Sequence, residues 1–148
     1  MDLQAELEDA IYTYRELFRQ DGIQLNYHSG QELYTDPISG DPQRLKQVFC
    51  NVLDNAAKHG GSGLRITASI CREGHEEVVR VRDYGPGIPE EELPKVFNRF
   101  YRVDKARSRA AGGTGLGLSI VRDTVRRHGG WVTVRARQPE GSVFTVGF

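Results

Sequence analysis

The sequence holds only two cysteines, Cys50 and Cys71, in 148 residues, and neither belongs to a Cys-x-x-Cys pair. A disulfide framework and a cysteine-built zinc site are therefore excluded. Cys50 falls in a helical pattern beside Phe49, so both thiols are expected to be free, buried and kept in a reducing compartment. Net charge is equally scarce, with 20 Lys and Arg against 20 Asp and Glu and a pI near 6.9. No whole-molecule field draws such a chain onto nucleic acid or anionic lipid, and neither is expected as a partner. No apolar run approaches the ~18 residues of a membrane span, and no secretory leader is visible. The chain as given is expected in the cytosol.

What is present suits one ordinary globular domain. Hydrophobic residues make up 38% and charged residues 27%. A chain of this length buries about 68–70% of its unfolded surface, so it needs no covalent or metal staple. Leu3, Leu7, Ala10, Ile11, Tyr14, Leu17 and Phe18 recur at helical spacing and stop at Asp21-Gly22. Ile23 to His28 alternates as a strand, and Gln31 to Gly40 reads as an extended segment with a turn. A second helix opens at Asp41-Pro42, cap and first turn, and runs to about His59 before Gly60-Gly61-Ser62-Gly63 breaks it. Leu64–Cys71 and Glu77–Arg82 read as antiparallel strands. Residues 90–114 carry many charges and weak periodicity, the pattern of a long mobile segment with short helical pieces. A third helix is expected from near Gly115 to Gly129-Gly130, followed by strands over 131–137 and 143–148. The mixture predicts an α/β two-layer sandwich: one mixed sheet of about five strands, covered on one face by about three helices.

Three stretches suggest chemistry. On a wheel of about 100° per residue, Asn55 lies about 40° and Lys58 about 20° from Asn51, while Leu45, Phe49, Val52, Leu53 and Ala56 gather on another face. Two amides and a lysine in one stripe fit a magnesium ion, which takes hard oxygen ligands and shares them with substrate phosphates. They fit an ordinary solvated face as well. Asp83 ends an apolar-alternating strand, with Gly85 and Gly87 at +2 and +4. Glycines let backbone approach a flat ligand, and a carboxylate, being acceptor-only, would select the exocyclic amino group of adenine over the carbonyl of guanine. A solvent-exposed turn is the plainer alternative. Asp83-Tyr84-Gly85 looks like the metal-binding tripeptide of eukaryotic-type protein kinases, but their glycine loop, strand lysine and catalytic loop are missing. Gly112-Gly113-Thr114-Gly115-Leu116-Gly117-Leu118 leads into a helix start, where free N–H groups and the dipole favour an anion. It is neither a Walker A loop nor a dinucleotide fingerprint, and it reads as a phosphate-holding loop or a plain hinge.

Taken in order, NVLDNAAKH (51–59), DYGPGIP (83–89), VFNRFYRVDKA (96–106) and GGTGLGLSIV (112–121) resemble the four nucleotide-binding boxes of sensor histidine kinases. The similarity covers nearly the whole chain. It implies the Bergerat fold shared with gyrase, the MutL repair proteins and a heat-shock chaperone, with a mobile ATP lid over about 90–114, and it implies ATP and Mg²⁺ as cofactors.

By that resemblance Asn55 ligates Mg²⁺ and Asn51 assists near the phosphates. Lys58 and His59 face the phosphates, although the family more often carries an aromatic residue at position 59. Asp83 takes the adenine amino group, and Gly85, Gly87 and Ile88 shape the base pocket. Phe97 and Phe100 anchor the lid, with Tyr101 beside them, and Arg102 reaches the terminal phosphates. Gly113, Thr114, Gly115, Leu116, Gly117 and Leu118 wrap the phosphates. Only Gly141 before Ser142-Val143-Phe144 is similar to the last glycine box. Asn51, Lys58 and Arg102 are the expected catalytic residues. The other cations of the lid, Arg99, Lys105, Arg107 and Arg109, are expected to be solvated, since no sheet aromatics accompany them as in an RNA platform.

None of His28, His59, His75 and His128 sits in the family's phosphoacceptor motif, so each is expected at the surface or in a turn. The accepting histidine is expected on a dimerising phosphoacceptor domain outside these 148 residues, in a homodimeric, membrane-anchored parent that serves a cognate response regulator. The chain alone is expected to be monomeric, to bind ATP·Mg and not to label itself. Hydrolytic relatives carry a glutamate where this chain has Asn51, which argues against a self-sufficient ATPase. The alternatives are a serine kinase of the anti-sigma type with the same fold, or a nucleotide-binding regulatory module without transfer.

Overall fold

A computed structural model of the chain describes residues 2–30, 39–86, 88–98, 117–137 and 141–148, apart from the side chain of His59 and the surroundings of Gly61. Helix α1 (Leu3–Gln20) starts where the Asp2 carboxylate accepts from the N–H groups of Gln4 at 3.0 Å and Ala5 at 3.4 Å. Leu3, Leu7, Ala10, Ile11 and Phe18 form its buried stripe. The helix stops at Gly22, whose φ of 74° lets its own N–H reach the Arg19 carbonyl and the Ile23 N–H reach that of Phe18. Helix α2 (Pro42–Gly60) has the expected cap: Asp41 Oδ1 accepts from Gln43 N–H at 3.0 Å and Arg44 N–H at 3.4 Å. Helix α3 (Gly117–Arg127) ends as α1 does, with Gly129 at φ 75° and the Gly130 N–H on the Val125 carbonyl. Two short 3₁₀ turns, Gly61–Gly63 and Glu90–Lys95, complete the helical pieces described. The latter is the part of the 90–114 segment that is described as regular. Residues 31–38 and 99–116, with their expected extended segment and most of the lid, lie outside the described residues.

The strands are β1 (Gln24–Ser29), β2 (Arg65–Glu73), β3 (Glu76–Asp83), β4 (Trp131–Ala136) and β5 (Ser142–Gly147), each within two residues of the expected limits. They form one mixed sheet in the order β1-β2-β3-β5-β4, with β1 parallel to β2 and every other pair antiparallel. Gly74, at φ 63°, occupies the first position of the two-residue β2–β3 turn, where an L-residue would be strained. Period-two alternation sends Leu25, Ile66, Ala68, Ile70, Val79, Val81, Phe144 and Val146 to the helix side. There they meet Leu45, Val48, Phe49, Val52 and Leu53 of α2 and Val121 and Val125 of α3 in one core cluster. The other face carries partly exposed Thr67, Ser69, Arg80, Arg82, Thr133 and Thr145, and Glu73 braces Arg80 there at 2.8 Å. This is the expected Bergerat-type sandwich, helices on one side only.

Two local expectations change. Cys50 and Cys71 are free but only half-buried: Cys50 sits at the margin of the α2 core face and Cys71 on the uncovered face of the sheet. Burial still raises the Cys50 pKa, with Asp54 adding to it, so the thiol form dominates. His128 is more than a turn residue. Its Nδ1 lies 2.8 Å from the Thr124 carbonyl and must donate there, which leaves Nε2 to accept the Asp41 N–H at 3.2 Å. A Cβ on Gly40 would run into the ring. The imidazole thus ties the C-terminal end of α3 to the N-terminal end of α2.

The packing sets a contrast. Phe49 is among the largest side chains buried to 1% exposure, whereas Tyr12 on α1 is 82% exposed. Phe49→Ala should cost about 3–5 kcal/mol of unfolding free energy, and Tyr12→Ala should stay within about 0.5 kcal/mol of the parent. Urea titrations of the two variants read both values; equal losses would contradict the assigned core.

Candidate functional site

Asp83, the last residue of β3, is 1% exposed and yet carries a carboxylate. Oδ1 accepts from the backbone N–H groups of Gly85 and Ser142, each at 3.3 Å. Oδ2 is buried and has no hydrogen-bond partner among the described residues. Such an acceptor costs free energy unless a donor arrives.

The neighbours leave no slack around it. A Cβ on Gly60 would collide with the Asp83 carboxylate, and one on Gly141, at φ 104°, with the Asp83 carbonyl. Gly85 lies against the Gly60 backbone, and Gly63 against that of Tyr84 and Gly85. Ser142, fully buried, spans the two sides: its N–H holds Asp83, and its Oγ accepts the Ile88 N–H at 3.0 Å. Tyr84 pins the turn from the uncovered face. The guanidinium carbons of Arg65 and Arg82 lie 3.9 and 4.5 Å from its ring centre, and its hydroxyl is 3.1 Å from Thr67 Oγ1. Buried Ile88, at 4% exposure, supplies apolar wall.

Because Gly60 ends α2, the polar stripe of that helix starts at the same place and runs away from it. Asn55 lies about 7 Å and Asn51 about 13 Å back along the axis, at about 1.5 Å per residue. Asn55 Nδ2 donates to the Asn51 carbonyl at 2.9 Å. Only the amide nitrogen can donate there, so Oδ1 remains as a hard acceptor. A Cβ on Gly117, the first residue of α3, would stand 3.6 Å from Asn55 Nδ2, which brings the start of that helix beside the stripe. Leu118, at 8% exposure, belongs to the core.

Asp83 and Gly85 therefore stand at the Gly60 end of α2, and Asn55 and Asn51 lie successively further back along the helix, with Gly117 beside Asn55. Lys58 is placed differently from a free cation: it is exposed, and its ammonium lies 3.3 Å from Asp54, one turn back on the same stripe. The stripe thus includes a carboxylate that the wheel argument passed over. Phe97 is buried in the core at 8% exposure. Gly87, Phe100, Tyr101, Arg102, Gly113, Thr114, Gly115 and Leu116 lie outside the described residues, as does the side chain of His59. Sequence reasoning missed Gly60, Gly63 and Ser142 as parts of the pocket. The first two read only as helix breakers, and the only signal for Ser142 was the glycine before it.

Residues 40–148 match the family described as histidine kinase-, DNA gyrase B- and HSP90-like ATPases, and the chain belongs to that family. It is 49% identical over 106 residues to the signal transduction histidine-protein kinase AfsQ2 of Streptomyces coelicolor, covering 72% of this chain and 19% of that protein. Sensor histidine kinase WalK of Bacillus subtilis is 43% identical over 107 residues, covering 71% of this chain and 18% of that protein. The chain thus spans about a fifth of the length of these relatives. The part that it resembles is indicated by the catalytic domain of histidine kinase ThkA. That structure superposes with a TM-score of 0.81 at 28% identity, covering 100% of this chain and 94% of that one. The chain is of the histidine kinase catalytic type, with an ATP-binding fold.

Burial raises the Asp83 pKa, and the Gly85 and Ser142 N–H groups and Arg82 offset only part of the rise. A folded-state pKa above the unfolded one means that the folded chain binds this proton more tightly. Its contribution to stability is then full below the unfolded value and lost as pH rises through the folded value. Asp83→Asn should accordingly be more stable than the parent at neutral pH without nucleotide, and the gap should close on acidification. Urea midpoints between about pH 4 and about pH 8 measure it. Two profiles running parallel throughout would contradict the assignment.

Proposed function

We propose that residues 1–148 are the catalytic domain of a sensor histidine kinase, with a lid over about 90–114. In this reading the domain moves the γ-phosphoryl group of ATP to a histidine on a separate dimerising phosphoacceptor domain, which a response regulator then discharges. The observation that carries the reading is the unpartnered Oδ2 of buried Asp83, set among glycines that keep Cβ atoms away from the residue. An adenine amino group satisfies that oxygen; a guanine carbonyl would face it without a proton.

From the base, the polar stripe of α2 leads toward the phosphates. Asn55 would hold Mg²⁺ through Oδ1, with Asn51 beside it, and the ion would supply charge neutralisation across the phosphates. Lys58 would exchange Asp54 for phosphate oxygen, a cheap trade because an exposed pair on a helix is worth only about 0.3–0.5 kcal/mol. Gly117 and the residues before it would offer backbone N–H groups, and Arg102, with Phe100, Tyr101, His59 and the glycines 113 and 115, would complete the lid side. In transfer, an imidazole nitrogen of the acceptor domain bonds to the γ-phosphorus while the bond to the bridging oxygen breaks, leaving ADP. The chain's own part is to position and neutralise. The reaction draws on cytosolic ATP, and no helix among the described residues is long and apolar enough to cross a membrane.

The test supplies the missing half. Incubated with γ-labelled ATP and Mg²⁺, the chain alone should stay unlabelled. Adding the phosphoacceptor domain of a related kinase should give an acid-labile, alkali-stable phosphohistidine on that domain. Label on serine would point instead to the anti-sigma type of kinase, and binding without transfer to any acceptor would leave only a regulatory module.

A further inference from the structure

A second binding feature lies at the β1 edge of the sheet, two strands over from Asp83. Strand β1 is terminal in the sheet order, and among the described residues nothing pairs with its outer side. The Gln24 N–H bonds to the Leu64 carbonyl and the Gly30 N–H to the Ile70 carbonyl, so the even-numbered residues face β2. Parallel pairing then turns the backbone groups of Leu25, Tyr27 and Ser29 outward. A strand edge left in this state is a template for another strand. Beside it runs an open groove of about 620 Å³, lined by Ile23 to His28 and by Arg15 and Arg19 of α1, with no carboxylate in its lining.

The two arginines say what the groove takes. Arg15 already reaches the edge, its Nε 3.4 Å from the Leu25 carbonyl. Among the described residues, Arg19 has only an exposed contact to Glu16 at 3.8 Å, which a better partner displaces. Their spacing of four residues on a helix is about 6 Å, and alternate residues on one face of a strand are about 6.7 Å apart. An extended segment added to β1 with acidic side chains at i and i+2 would therefore set one carboxylate on each guanidinium. We propose that the β1 edge docks an extended acidic segment of a partner protein by strand addition, with backbone pairing giving affinity and the Glu-x-Glu spacing giving selectivity. The proposal does not depend on the nucleotide reading, since none of these residues belongs to the pocket.

The probe is the peptide acetyl-Thr-Thr-Glu-Thr-Glu-Thr-Thr-amide, titrated into the labelled chain and followed in amide spectra. Saturable shifts and slowed exchange are expected at Leu25, Tyr27 and Ser29. Affinity should fall at least tenfold in the Arg15→Glu, Arg19→Glu double variant, whose ATP affinity should be unchanged, and with lysines in place of the two glutamates. No saturable shift at these amides would overturn the proposal, as would equal binding of the lysine peptide. Concentration-dependent shifts at the same amides without peptide would overturn it too, by assigning the edge to a second copy of the chain.

Discussion

A carboxylate that is 1% exposed, held through one oxygen by two backbone N–H groups and left unpaired through the other, is the constraint around which this molecule is arranged. Its surroundings have room for neither a Cβ on Gly60 nor one on Gly141. Gly60, Gly85 and Gly141 stand where a single methyl group would reach the carboxylate, its carbonyl or the chain beside it. Ser142 serves as a rivet between β5 and the turn after β3. The raised pKa of Asp83 is the energetic signature of this compromise: stability is given up in the free protein and recovered when a donor arrives.

The rest of the fold positions other chemistry relative to that oxygen. Helix α2 touches Asp83 with its last residue, Gly60, and carries Asn55 and Asn51 progressively further from it. Helix α3 begins beside Asn55, and its opposite end returns to the start of α2 through the His128 imidazole. The two helices thus approach each other twice, once at Asn55 and once through the His128 imidazole. Packing of Val48, Phe49 and Val52 against Val121, Val125 and the inner sheet face fills the space between.

Elements and layers were legible in the sequence because the signals were local. Asp41-Pro42 capped α2 as written, Gly22 and Gly129 stopped their helices at positive φ, and period-two alternation marked the strands. The base-binding role proposed for Asp83 was legible only as one of two readings, since an aspartate in a glycine turn is as often solvated. Burial sets the solvated turn aside; it depends on β5 lying against β3, and register across some sixty residues is not written in either segment. Ser142, Gly60 and Gly63 were missed for the same reason: each matters because of what lies opposite. Asp54 was overlooked although it shares the α2 stripe, and with it the pairing that holds Lys58 in the free chain.

The most direct measurement of the central claim compares ATP with inosine triphosphate, which differs at the six position by carrying a carbonyl in place of the amino group. Calorimetric titration of the parent chain should give ATP the tighter binding by about 10- to 150-fold, the equivalent of about 1.5–3 kcal/mol for a hydrogen bond to a charged group. In Asp83→Asn, which can donate as well as accept, that preference should shrink or reverse. Equal affinities for the two nucleotides in the parent chain would contradict the assignment of Asp83 Oδ2 to the base.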